Sequence, residues 1–293
     1  MHNLIQNYGF ILNEFNKLGI EDCFYYQAIK PKMTDLQLVA LNLTAEYCGI
    51  DSERQLFRLL EDTELAPLIE RSVYNKRKRK LFPFIERIRK LLALRLNEHQ
   101  DCYIVDSMPL EICRNARAAR STVCRGPEGA VPNKGFCASQ NMHFYGFKLH
   151  AVCSTTGVFH SFDLTPASVH DIHYLKDIKS QMSDCVVLGD KGYLSSQIQL
   201  DLFETVNIKL ETPARNNQKD GRPQPYIFRR FRKRIETLFS QLCDQFMIRR
   251  NYAKTFEGFK TRILSKITAL TTVQYINKFV FNRNINNVKI AFR

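Results

Sequence analysis

CYIVDSMPLEI, residues 102–112, decides how most of this chain is read. It opens with the β-branched and aromatic residues of a half-buried strand. It then reaches Asp106, a carboxylate at what reads as the end of that strand. A doubly wound dinucleotide-binding sheet would place a glycine-rich turn after its first strand. Here the strand runs into Asp-Ser-Met-Pro, and that class is rejected. Residues 113–142 read as a loop, rich in Arg, Gly, Pro, Asn and Ser. HFYGFKLHAVCS (143–154) and GVFHSFDLTPA (157–167) are strand patterns, and Thr155-Thr156-Gly157 between them is a hairpin signal. HDIHYLKDIKSQM (170–182) then reads as a helix and CVVLGD (185–190) as a buried strand. SSQIQLDLFE (195–204) reads as a serine-capped helix and VNIKLETPA (206–214) as a strand. A loop from Asn216 to Pro225 leads into two long helices, Tyr226 to about Tyr252 and Phe256 to Asn282.

A strand meander followed by alternating helices and strands implies an α/β domain, a mixed sheet flanked by helices. The element order is that of a ribonuclease H-like fold. Residues 1 to about 95 read as helical throughout. Met33-Thr34-Asp35 offers a cap for LQLVALNLTAEYCGI, which has apolar residues at helical spacing. Gly49 ends that helix, and Asp51 or Ser52 starts the next, SERQLFRLLED. Helix, short turn, helix is the pattern of a helix-turn-helix. The expected division is therefore 1–98, a helical, helix-turn-helix-like DNA-binding region, and 99–293, the α/β domain.

The chain of 293 residues is 44% apolar, ample for a packed core. Lys and Arg number 43 against 29 Asp and Glu, a net charge of +14. That surplus calls for a polyanionic partner, and nucleic acid is the usual one. No stretch reaches the ~18 apolar residues that span a bilayer, and the start of the chain lacks the pattern of a secretory signal. The nine cysteines form no CxxC pair. Zinc is weakly supported, and reduced thiols in a cytoplasmic protein are expected.

The carboxylates carry the chemistry. Asp106 ends the first strand of the reading and Asp190 ends the fourth. If those strands are neighbours, the two meet at one edge of the sheet. Close carboxylates repel unless one is protonated or a cation lies between them. Oxygen ligands of this kind suit Mg2+ or Mn2+. A pair of such ions activates a water or hydroxyl and stabilises a leaving 3′ oxygen. Glu236 is the third candidate. It lies at the edge of the helical stripe Ile235, Leu238, Phe239, Leu242 and Phe246, in YIFRRFRKRIETLFSQL. Alone it reads as an ion-paired surface residue; beside two strand-end aspartates it reads as a ligand. Glu111, Asp171 and Glu211 are rival carboxylates.

Taken in order, Asp106-Ser-Met-Pro, Tyr145-Gly-Phe-Lys-Leu-His, Thr165-Pro-Ala with His170-Asp171, Gly189-Asp190-Lys-Gly-Tyr193 and Arg232-x3-Glu236 resemble the DDE transposases of bacterial insertion sequences. The chain is most similar to the insertion sequence 982 family, within the group carrying a Y-x2-R-x3-E-x6-K signature. Arg229 stands where that signature has its tyrosine and Cys243 where it has its lysine, so neither inherits a role. The resemblance implies Asp106, Asp190 and Glu236 as a metal-binding catalytic triad. It implies DNA cleavage at transposon ends and transfer of 3′ ends to target DNA, with two Mg2+ ions and Mn2+ as a substitute. It further implies double-stranded DNA as partner, a homodimer in the synaptic complex, and a nucleoid-associated bacterial protein with no membrane association.

The basic residues fall into two groups. Arg71 to Arg95 holds ten cations and one acid, Glu86, and within it Lys76, Arg77, Lys78, Arg79 and Lys80 run consecutively. Pro213 to Arg262 holds thirteen cations and four acids, among them Arg229, Arg230, Arg232, Lys233 and Arg234. Both runs are expected to contact phosphates rather than serve as plain solvated helix faces. Lys148, Lys191 and Arg232, near the expected site, are candidates for the scissile or target phosphate. Tyr193 reads as packing, and His150, His170 and His173 as secondary, because two-metal chemistry needs no histidine base. Two other readings stay open: a ribonuclease H-like nuclease or resolvase that cuts without joining, and a non-catalytic DNA-binding regulator.

Overall fold

The computed structural model describes residues 4–21, 29–127, 130–214, 225–289 and 292. Cys23 and all of the 216–225 loop except Pro225 lie outside the described residues. The chain divides into two compact units, Met1–Leu92 with Gln241–Arg293, and Ala93–Ser240.

The first unit is helical. It holds α1 (Leu4–Lys17), α2 (Asp35–Tyr47), α3 (Glu53–Leu60), α4 (Arg71–Lys80) and most of α5 (Phe82–Leu96). Thr34 caps α2 through a complete capping box. Its hydroxyl accepts from Gln37 N at 3.2 Å, and the Gln37 side chain accepts from Thr34 N at 2.8 Å. Gly49, at φ 70°, supplies the left-handed turn after α2, and Ser52 stands at the N-cap of α3.

The second unit is built on one six-stranded mixed sheet. Its strands are β1 (Cys102–Cys113), β2 (Asn133–Cys137), β3 (Met142–Ser154), β4 (Phe159–Pro166), β5 (Cys185–Leu188) and β6 (Ile208–Glu211). β1 pairs antiparallel with β3, and β3 with β4. β1 pairs parallel with β5, and β5 with β6. The main path is therefore β4-β3-β1-β5-β6, an antiparallel meander on one side of β1 and two parallel strands on the other. That is the ribonuclease H-like order. β2 falls in the stretch that the sequence reads as loop. It instead pairs with residues 142–146 of β3, on the edge that β4 continues along from Phe147.

α6 (Tyr174–Ile178) and α7 (Ser196–Val206) cover one face of the sheet. Val105, Val152, Val187, Ile208 and Leu210 pack there against Tyr174, Leu175, Ile178 and Leu202. α8 (Tyr226–Asp244) buries Ile235, Leu238 and Phe239, and the Phe239 ring lies 6.4 Å from that of Phe159 on β4. The expected helix from Tyr226 to Tyr252 ends early, at Asp244, and Met247 takes a left-handed φ of 48°.

α9 (Phe256–Phe279) belongs to the first unit. The sequence pattern puts everything after residue 99 in one domain; packing groups 241–293 with the N-terminal helices. The reason lies in two helices with no polar face. Every residue of α2 from Leu38 to Tyr47, and of α9 from Ile263 to Asn277, is buried. A helix buried all round needs neighbours on every side, and these two lie against each other. Two side-chain pairs join them across the contact. Asn42 Nδ2 donates to Ser265 Oγ at 2.7 Å, and Lys266 Nζ donates to Glu46 Oε2 at 2.5 Å and to the Phe246 carbonyl at 2.6 Å.

Candidate active site

β1 and β5 run parallel for three residues only, and the last rung sets Ile104 opposite Leu188. Beyond it the strands part. β5 stops, Gly189 follows, and Asp190 caps a short turn over Lys191–Tyr193. β1 continues to Cys113, held by β3. Asp106 therefore lies mid-strand, a correction to the reading that it ends its strand; what ends beside it is β5. Pro109 gives the sequence the look of a stop, yet it sits in register with Lys148 of β3.

Gly189 is glycine because of what packs on it. A Cβ there would stand 3.0 Å from Tyr193 Cβ and 3.2 Å from its Cγ. The turn folds the Tyr193 ring back into the core, where it is fully buried. Asp190 Oδ1 accepts from Gly192 N at 2.7 Å, and Asp106 Oδ1 from Ser107 N at 2.8 Å. Each aspartate is thus fixed by one oxygen, and among the described residues neither has an ion-pair partner.

The site is acidic enough to move its own protons. Asp106 is raised to about 7. Burial is the largest cause, the Ser107 N–H opposes it, and Asp190, Asp171 and Glu236 add repulsion. Four carboxylates therefore share one field: one on β1, one in the turn after β5, one in the segment after β4, and one on α8. The Tyr193 hydroxyl is also held in that field, with Asp171, Asp106 and Asp190 pushing it well above its ordinary value after burial. It is buried and has no hydrogen-bond partner among the described residues. Glu236 is exposed on α8 and, among the described residues, makes no ion pair despite its five basic neighbours.

Asp171 is the member that sequence reasoning leaves among the rivals. It accepts from Lys148 Nζ at 2.7 Å, and its Oδ1 lies 3.9 Å from His150 Nδ1. Lys148, expected as a phosphate contact, is thus engaged by a carboxylate. His150 is fully buried, its Nε2 lies 2.8 Å from Thr165 Oγ1, and its ring stacks on Tyr174. The signal is in the sequence: strand alternation sets Lys148 and His150 on one face, two residues apart.

The other expected contacts separate in the same way. In the KRKRK run, Arg77 donates to the Met33 carbonyl at 2.8 Å and to Asp35 at 2.6 Å, and Lys78 is buried against Glu53 at 2.6 Å. Lys76 and Lys80 are exposed, and Arg79 is half-buried. On α8, Arg229, Arg230 and Lys233 are exposed, while Arg232 and Arg234 are half-buried. Lys191 is exposed beside Asp190.

Among the described residues, no group of three His, Cys, Asp or Glu side chains stands close enough to hold one metal ion. The donor chemistry nonetheless fits a hard divalent cation. Among the described residues no cation forms an ion pair with Asp106, Asp190 or Glu236, and the buried Tyr193 hydroxyl is a further oxygen in the field of the two aspartates. All eight described cysteines are free thiols. No described helix is long and apolar enough to cross a membrane.

Sheet order and connectivity define a ribonuclease H-like domain. Residues 97–272, well over half of the chain, match the family model described as Transposase DDE domain. The chain belongs to the DDE transposase family. No curated protein matches it. Solved structures with some likeness include the Mos1 transposase paired-end complex with left transposon end, at 12% identity, covering 90% of this chain and 85% of that one, with a TM-score of 0.24. Another is the Mos1 mariner paired-end complex with Mn, at 11% identity, covering 83% and 87%, with a TM-score of 0.23.

Proposed function

We propose that this protein is a transposase of the insertion sequence 982 kind, which binds the ends of its element, cleaves DNA and joins the 3′ ends to a target. The observation that carries the reading is the shared field of Asp106, Asp190 and Glu236, centred where β1 and β5 part. Mg2+ ions, with Mn2+ as a substitute, would supply an activated water or hydroxyl and charge stabilisation for the leaving oxygen. Asp106 and Asp190 would hold such an ion, each with one oxygen anchored by a backbone N–H. Glu236, on α8, would supply the third carboxylate. Burial, with carboxylate repulsion added to it, raises Asp106 to about 7, and a bound cation would favour its ionised form.

Around this centre, Lys191, Arg232, Arg229, Arg230, Lys233 and Arg234 are proposed to hold DNA phosphates. Lys76, Arg79 and Lys80 are proposed to do so on the helical unit. Arg77 and Lys78 support α4 through their ion pairs, and Lys148 orients Asp171. Two ends brought together call for a homodimer at synapsis. A protein that acts on bacterial element DNA works in the cytoplasm, at the nucleoid. The test is an assay with a labelled duplex end and a plasmid target, with Mg2+, with Mn2+ and with EDTA. Metal-dependent joining of the labelled 3′ end supports the reading. Metal-dependent nicking with no joined product would instead make the protein a nuclease.

A further inference from the structure

A concave basic site lies wholly within the helical unit, among α3, α4 and the residues leading into α9. Its cavity of about 420 Å3 falls within the range of about 300–1,000 Å3 usual for small-ligand sites. Arg54, Arg71, Lys78, Arg79, Lys254 and Arg262 line it, against only Asp51 and Glu53.

Part of that charge builds the wall. Lys78 bonds Glu53 at 2.6 Å, Asn75 Nδ2 donates to both Glu53 oxygens at 3.0 and 2.9 Å, and Arg262 donates to the Asp51 carbonyl at 2.6 Å. Glu53 is thereby consumed. Arg54, Arg71 and Lys254 remain exposed, with no ion pair among the described residues. Cations gathered around a concavity, with Glu53 already used, favour an anion there. The lining also contains Tyr252, 66% exposed. An exposed phenol ring at the rim of a cationic cavity offers a stacking platform, and stacking beside phosphate contacts is how unpaired nucleotides are held.

The geometry points to a binding site for a phosphorylated nucleotide whose base is unpaired, with the phosphate among Arg54, Arg71 and Lys254 and the base on Tyr252. A base inside a duplex is already stacked and cannot reach the ring. A single-stranded segment of DNA or a free nucleotide satisfies the chemistry. The assignment rests on the transposase reading only for the source of the nucleotide.

The test uses the full chain and binding alone, so a failure of strand transfer leaves it intact. Affinities are measured by fluorescence anisotropy for a short 5′-phosphorylated single strand and for a closed circular duplex, as a competitor. Tyr252→Ala is expected to weaken the single strand about tenfold and to leave the circle unchanged, while Tyr252→Phe retains binding. Arg54→Ala with Lys254→Ala is expected to lower the salt slope for the single strand by about 0.7 for each cation removed. Unchanged melting temperatures establish that the variants fold. Equal weakening for both DNAs, or no weakening, overturns the proposal. The relative affinity of dAMP separates the sources: dAMP bound as tightly as the strand, and lost in Tyr252→Ala, assigns the cavity to free nucleotides, and a strand bound at least about tenfold tighter than dAMP assigns it to single-stranded DNA.

Discussion

Asp106 and Asp190 each stand two residues beyond the same rung of a parallel ladder, Ile104 opposite Leu188. Two strands that part at that rung therefore deliver two carboxylates to one place. Burial and mutual repulsion are unfavourable there, and the raised Asp106 records both. A buried carboxylate perturbed in this way marks a candidate functional site.

The first prediction concerns pH. Asp106 ordinarily titrates near 3.8 and is raised to about 7 in the fold. The folded state then holds a proton that the unfolded chain has released, so this group's contribution is present below pH 3.8 and declines as pH rises toward 7. Without divalent ions, Asp106→Asn is expected to raise the melting temperature at pH 8 and to leave it unchanged near pH 4. Equal shifts at both pH values in calorimetry would contradict this.

Metal addition should work in the opposite direction. A cation competes with the Asp106 proton, so stabilisation by Mg2+ or Mn2+ is expected to grow from pH 6 to pH 8. EDTA should abolish it, and Asp106→Asn should greatly reduce it. A thermal shift in that variant equal to the wild type would place the ion elsewhere.

His150 supplies a slope of the other sign. Burial lowers its pKa below the ordinary 6.5, Asp171 opposes this and Lys148 adds to it. Its neutral form is favoured in the fold, so its contribution is full above pH 6.5 and is lost as pH falls below that. His150→Gln is expected to melt lower at pH 7.5 and to lose less stability than wild type on going to pH 5. Parallel curves for the two proteins would show that the ring does not titrate as described.

In the helical unit, Lys266 is fully buried against Glu46. Lys266→Met leaves Glu46 as an unpaired buried charge, which costs about 3–5 kcal/mol. Adding Glu46→Leu is expected to restore most of that stability in urea unfolding. A single variant as stable as wild type would mean that water already reaches the pair.

The sheet is legible in the sequence because its strands alternate and its turns carry their own signals. Thr34 and Ser195 mark helix starts that the structure bears out, at α2 and α7. Three features are not legible, each for a physical reason. β2 is a five-residue strand containing Gly135, and its pairing comes from β3 rather than from its own pattern. The extent of β1 past Asp106 depends on support from β3 through Pro109. The grouping of 241–293 with the N-terminal helices depends on hydrogen bonds such as Asn42 to Ser265, 223 residues apart. At the candidate site, Asp190 is visible in the sequence as a carboxylate just past a strand end, whereas Asp106, read as a strand end, lies within β1. Asp171's hold on Lys148 requires the three-dimensional path of the chain after β4.

The most direct test of the central claim is strand transfer by Asp106→Asn, Asp190→Asn and Glu236→Gln, measured beside DNA affinity in the same preparations. Each variant is expected to bind element-end DNA within a few-fold of wild type and to lose cleavage and joining by at least about a thousandfold. Full transfer activity in any one of them would remove that residue from the catalytic centre, and activity in all three would contradict the account.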